Sequence, residues 1–169
     1  MNCPSSGAVS HEPVSDEHRA NTLVVMIKRR TEKVVCYVVN DGHLLVFTHL
    51  DHPIELTGVQ VPAGTIKPGE APEDAALREA TEETGLSGLR VVGKLGEADY
   101  DCSPMRFEVM HRHFFHLTAT GNTGTRWIAG EDDPSHGSAT QRWECWWLPL
   151  SNAHVLAGGQ GQLLGTLWD

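Results

Sequence analysis

The stretch "GTIKPGEAPEDAALREATEETGL" (residues 64–86) decides how this chain is read. Its second half carries the marks of a helix from about Pro72 to Thr84. Proline suits the first helical position, Glu73 and Asp74 favour the positive end, and Gly85 is placed to stop the helix. On a wheel of about 100° per residue, Ala76, Leu77, Ala80 and Thr84 form the core-facing stripe. Glu79, Glu82 and Glu83 gather on another side, next to Ala75, whose small side chain leaves room for something to approach. Like charges at these spacings cost roughly 0.2–0.5 kcal/mol per pair, so three carboxylates need a reason to share a face. Arg78 can pair with one of them but cannot neutralise three. A solvated acidic face is the ordinary reading of such a run in isolation.

Outward from this helix the chain reads as strands. "KVVCYVV" (33–39) and "HLLVFTHL" (43–50) are rich in β-branched and aromatic residues and flank "NDG", a strong hairpin signal. "VQV" (59–61) is a candidate short strand ahead of the breaker-rich "PAGTIKPGE". "GLRVVGKL", "RFEVMHRHFFHLTA" and "RWECWWLPL" (142–150) continue the strand pattern, and residues 120–141 read as a long polar connection. A short helix interrupted by "AGGQGQ" is expected after Ser151. The result is a mixed α/β layered domain spanning 22–169, with residues 1–21 as a flexible lead-in.

The bulk properties narrow the function classes. A chain of 169 residues makes one ordinary domain. Its formal net charge of −9 has the wrong sign for a nucleic-acid polymer, but leaves room for a small anion whose binding a cation mediates. The apolar runs are too short to cross a bilayer, and residues 1–21 lack the central apolar run of a signal peptide, so a cytoplasmic location and no membrane partner are the expectation. Cys3, Cys36, Cys102 and Cys145 form no C-x-x-C pair and read as ordinary thiols.

The fixed offsets around the helix overturn the solvated-face reading. Gly64, Glu70, Arg78, Glu79, Ala80, Glu82, Glu83, Gly85 and Leu86 match the pattern G-x5-E-x7-R-E-U-x-E-E-x-G-U without departure, U being aliphatic or small and apolar. Average residue usage puts a chance match at one start position on the order of one in a billion. The stretch resembles the signature of the Nudix hydrolases. That resemblance implies an α/β/α sandwich around a mixed β-sheet. It also implies hydrolysis of a pyrophosphate linkage in a nucleoside diphosphate joined to another group, with Mg2+ or Mn2+. Carried over by position, Glu79 and Glu83 would be principal metal ligands and Glu82 a further ligand or water-binding carboxylate. Ala63 would offer its backbone carbonyl to the metal, and Arg78 with Glu70 would form the ion pair that orients Glu79. Magnesium prefers a few hard oxygen donors, and a bound cation would remove the repulsion that the helix otherwise carries.

Substrate choice rests on weaker signals. "VPAGTIKPGE" and "SPMRFE" (103–108) resemble runs found in ADP-ribose and nucleotide-sugar pyrophosphatases, although Met105 stands where glycine is usual. Nucleoside triphosphates, oxidised nucleotides and dinucleoside polyphosphates are the alternative substrates, and a nucleotide-sensing domain without hydrolysis is the alternative class. The family's sensing members commonly lose box glutamates, whereas all are present here. The chain is short for the dimerisation strands of the ADP-ribose group, and a homodimer is an open expectation. Glu131 is the candidate further acid or base, with Asp132, Asp133, His136 and Glu144 behind it. His111 and His113 share a strand face but lack further ligands at recognisable spacing, so they read as strand histidines or as cleft-lining residues. Trp143, Trp146 and Trp147 read as core rather than base-stacking residues, and Tyr100 is undecided between the two.

Overall fold

The computed structural model describes residues 27–120, 124–131 and 141–168. Strand β1 (Arg29–Asn40) turns into β2 (His43–His49) through Asp41 and Gly42. Both turn residues have positive φ, 47° and 73°. That is the geometry whose twist matches a tight hairpin, and it is the reason "NDG" stands there. The two strands stay paired only at Val39↔Leu44 and Asn40↔His43. They then part, β1 to lie parallel to β5 (Glu108–Ala119) and β2 antiparallel to β7 (Gln141–Pro149). With β4 (Leu89–Asp101) outside β5 and β6 (Arg126–Glu131) outside β7, the main order is β4-β5-β1-β2-β7-β6. The sheet is mixed, as expected.

Helix α1 (Ile54–Thr57) is a single turn, whereas α2 (Pro72–Thr84) has the bounds that its sequence implies. Pro72 opens α2, and Gly85 closes it in the left-handed conformation, φ 69°, its N–H donating to Thr81 O at 2.8 Å. Ala75, Ala76 and Ala80 are fully buried against the sheet with Val34, Cys36, Val38 and Phe115. The full burial of Ala75 corrects the wheel reading. Its small side chain lets the helix lie close to the sheet and faces the core, not the acidic side.

On the other sheet face, Val35, Tyr37, Val46 and Phe114 pack under the C-terminal segment. That segment forms 3-10 turns at Leu150–Val155 and Leu164–Leu167, so the second flanking layer is built of turns in place of the expected short helix. The Tyr37 hydroxyl, donating to Gln160 O at 2.5 Å and accepting from Leu163 N at 3.3 Å, pins this layer to the sheet. Burial raises the Tyr37 pKa to about 12, so its hydroxyl stays protonated and available as a donor.

Three further element expectations change. The short strand lies at β3 (Ala63–Thr65), paired with β1, while Val59 and Gln60 make only isolated bridges. The connection 120–141 contains β6, because Trp127 and Ala129 pack on the α2 side of the sheet. β4 runs on to Asp101, past register shifts at Val91/Gly93 and Lys94/Gly96 that glycines allow. The lead-in 1–21 lies outside the described residues.

Candidate active site

α2 carries four of the site residues on consecutive turns, and β3 with the loop after it brings the rest alongside. Arg78 is the hub. Its Nε and Nη2 donate to the two oxygens of Glu70 at 2.7 and 2.8 Å, the bidentate fork that only a guanidinium makes. Nη1 donates to Glu79 Oε1 at 2.8 Å and to Glu82 Oε2 at 3.0 Å, and Nη2 also reaches Thr65 O at 3.0 Å. One arginine therefore ties three carboxylates and the loop backbone together, where the sequence led us to expect a pair centred on Glu70 and Glu79. Glu70 also accepts from Lys67 N at 2.8 Å, and Arg78 holds its pKa down at about 2.

Glu83 is placed differently, its Oε2 accepting from Ala63 N at 2.9 Å. Gly64 explains the first position of the motif. A Cβ there would sit 1.8 Å from the Glu79 carboxyl carbon, so glycine is required to let this carboxylate lie on the strand. Burial raises the Glu79 pKa, against the pull of Arg78 in the opposite direction. A half-buried carboxylate in that state gains from a nearby cation. The donors on offer, from Glu79, Glu82, Glu83 and the Ala63 carbonyl, are all hard oxygens, which fits a magnesium-type ion.

Beside this cluster opens a cleft of about 410 Å³, lined among others by Lys33, Gly64, Tyr100, Arg106, Arg112 and Gln160. Sequence reasoning missed Lys33, Arg112 and Gln160 altogether. Arg112 is buried, stacks over the Tyr100 ring with 4.0 Å to its centroid, and donates to Gly158 O at 2.7 Å. Gly159 permits that stack, since a Cβ there would meet the Tyr100 ring at 2.9 Å. Lys33 donates to Thr65 Oγ1, and burial lowers its pKa even though Glu79 pulls it upward. The alternation in "HRH" was the available signal. It sends Arg112 to the cleft and both histidines to the opposite sheet face, so His111 and His113 do not line the cleft.

Of the remaining candidates, Glu131 and Glu144 lie on β6 and β7, and others lie outside the described residues. Glu131 ends β6 opposite Gln141, and Asp132, Asp133 and His136 lie outside the described residues. Glu144 sits within β7 and is engaged by Arg126 at 2.7 Å. Trp143 is buried in the core, with Trp146 and Trp147 packed partly buried on opposite sheet faces, while Tyr100 belongs to the cleft. Cys36, Cys102 and Cys145 are buried free thiols. No helix among the described residues is long and apolar enough to cross a membrane.

The model of the NUDIX domain matches residues 28–164. The chain belongs to the Nudix family. Among curated proteins, this Nudix chain is 35% identical over 66 residues to an ADP-ribose pyrophosphatase of Bacillus subtilis, covering 39% of this chain and 36% of that protein. It is 30% identical over 107 residues to an RNA pyrophosphohydrolase of Brucella abortus, covering 55% and 56%. The chain thus spans from about a third to just over half the length of these relatives. A MutT Nudix hydrolase from Burkholderia pseudomallei shares the fold with TM-score 0.62 at 19% identity, over 83% of this chain and 99% of that one.

Proposed function

We propose that this Nudix chain is a divalent-metal-dependent pyrophosphohydrolase acting on a nucleoside diphosphate linked to another group, with ADP-ribose or a nucleotide sugar as the substrate class. The observation that carries the reading is the joining of an oxygen-donor cluster to a cationic cleft. Ala63 and Gly64, which line the cleft together with Lys33, Arg106 and Arg112, lie directly against Glu83 and Glu79, and Arg78 ties Glu79 to Glu82. In a chain of net charge −9, those three cations give a pyrophosphate a favourable local field. Glu79, Glu82, Glu83 and the Ala63 carbonyl would hold Mg2+, or Mn2+ in its place. When bound, that ion supplies charge stabilisation at the phosphoryl oxygens and acidifies a water.

The chain's own residues do the positioning. Arg78 and Glu70 fix Glu79 and Glu82 before substrate arrives, so little reorganisation is needed during reaction. Tyr100 offers an aromatic face for a base or sugar, with the Arg112 guanidinium stacked across it. Glu131 is proposed as an auxiliary acid or base from its place at the end of β6. The ADP-ribose preference draws support from the Bacillus subtilis relative and from Met105 and Arg106 of the "SPMRFE" loop, which line the cleft.

The test is a screen of ADP-ribose, nucleotide sugars, nucleoside triphosphates, dinucleoside polyphosphates and 5′-triphosphorylated RNA with Mg2+, reading the products released. ADP-ribose or a nucleotide sugar is expected to give the highest kcat/KM. Preferred cleavage of the RNA end or of triphosphates would overturn the substrate class. Glu83→Gln is expected to lower turnover by at least about two orders of magnitude with an unchanged circular-dichroism spectrum. Near-normal activity of that variant at ordinary Mg2+ would overturn the metal role.

A further inference from the structure

A second group of metal-type side chains lies on β1, β4 and β5. Strand alternation and register place Glu32 of β1, His111 and His113 of β5, and Glu97 and Asp99 of β4 on one sheet face, with Glu32↔His111, Glu97↔His113 and Asp99↔His111 as neighbours. Arg112 and Met110, between and before the histidines, face the cleft on the other side. The two imidazoles meet edge to face with centroids 4.9 Å apart. His113 Nε2 lies 2.9 Å from Glu32 Oε2, and His111 Nε2 lies 3.1 Å from Glu97 Oε2. His113 Nδ1 is buried and, although 3.1 Å from Glu97 Oε1, makes no hydrogen bond of acceptable angle. A buried ring nitrogen without a bond, turned toward a carboxylate, is an unusual expense for a purely structural histidine.

The donor atoms of Glu32, His111 and His113 all fall within 4.8 Å of one another. In a tetrahedral zinc site with bonds of about 2.0–2.2 Å, donors stand roughly 3.3 Å apart. Small side-chain rotations close that gap, and Glu32, the carboxylate of the three, is about half exposed. Asp99 Oδ1 lies 2.7 Å from His111 Nδ1, the carboxylate–imidazole contact that fixes a ligand ring and leaves Nε2 for a metal. The three carboxylates face Arg30, near Glu32 and Asp99, and Lys94, on Glu97. With neutral imidazoles the group therefore keeps a negative balance that a divalent cation relieves. Two nitrogen donors select a late first-row ion over magnesium.

We propose that Glu32, His111 and His113 form a Zn2+ site distinct from the carboxylate cluster on α2, with water completing the tetrahedron. The bound ion would clamp β1 and β5 together. Titrating the metal-stripped full chain with Zn2+ by calorimetry, in excess Mg2+, tests this. One Zn2+ per chain is expected to bind in the wild type and in Glu83→Gln. In His111→Ala/His113→Ala the affinity should fall by about a hundredfold or more, with Mg2+-dependent hydrolysis retained. Should the double variant not fold, Glu32→Gln is the substitute, expected to weaken Zn2+ and to remove the visible bands that four-coordinate Co2+ gives in the wild type. Absence of Zn2+ binding under excess Mg2+, or loss in Glu83→Gln with retention in the histidine and Glu32 variants, would overturn the proposal.

Discussion

Two carboxylate clusters on this molecule solve the same electrostatic problem in different ways. On α2, a single guanidinium holds Glu70, Glu79 and Glu82, whose side chains are 16, 14 and 37% exposed. On the sheet, Glu32, Glu97 and Asp99 are about half exposed and share their charge among two imidazoles, Arg30 and Lys94. The first cluster is stiff and offers oxygen donors alone. The second is open and mixes nitrogen with oxygen. The difference teaches that the chemistry of an acidic cluster is set by what compensates it, and that a part-buried fork fixes geometry which exposed surface pairs leave adjustable.

The comparison breaks most sharply at Gly64. Gly64→Ala would drive a methyl group onto the Glu79 carboxylate, so the rigid cluster should lose about a hundredfold in kcat, the scale of a one-ångström misplacement. Steady-state kinetics with a thermal melt checks this, and wild-type turnover would mean that Glu79 has other room. Arg78→Lys comes next, with an expected fall of about 10- to 100-fold in kcat and a smaller change in KM. Lysine keeps the charge but loses the fork onto Glu70. Wild-type kinetics in the lysine variant would remove Arg78 from its positioning role.

A smaller effect sharpens the contrast through pH. The Glu70 pKa lies near 2 in the folded chain against an ordinary 4.5, because of Arg78. A depressed carboxylate adds stability above its unfolded pKa, and that contribution fades as pH falls from about 4.5 toward 2. The melting temperature should therefore drop across that window less steeply in Glu70→Gln than in the wild type. Parallel slopes would show that the fork leaves Glu70 unperturbed. The smallest effect belongs to Glu144, whose partner Arg126 is more than half exposed. Glu144→Gln should change stability by no more than about 0.5 kcal/mol and leave kcat within a factor of about two. A large kcat loss would instead bring Glu144 into the reaction.

The box was legible because its contacts are local. A helix returns side chains at offsets of three and four, so Glu79, Glu82 and Glu83 could be assigned to one face before any tertiary structure was considered, while Glu70 and its pairing with Arg78 came from the resemblance to the Nudix signature. The same locality made the helix bounds and the "NDG" hairpin readable, since proline, glycine and positive-φ turn chemistry act within a few residues. Tertiary structure alone decided the rest. Whether Ala75 is buried depends on how closely α2 lies on the sheet. That Lys33, Arg112 and Gln160 share one cleft depends on a parallel β1–β5 pairing and on a C-terminal segment pinned by Tyr37. Glu32 meets His113 across 81 positions of sequence. No local period encodes such meetings. They follow from strand order and register, which are fixed only when both faces of the sheet are buried at once.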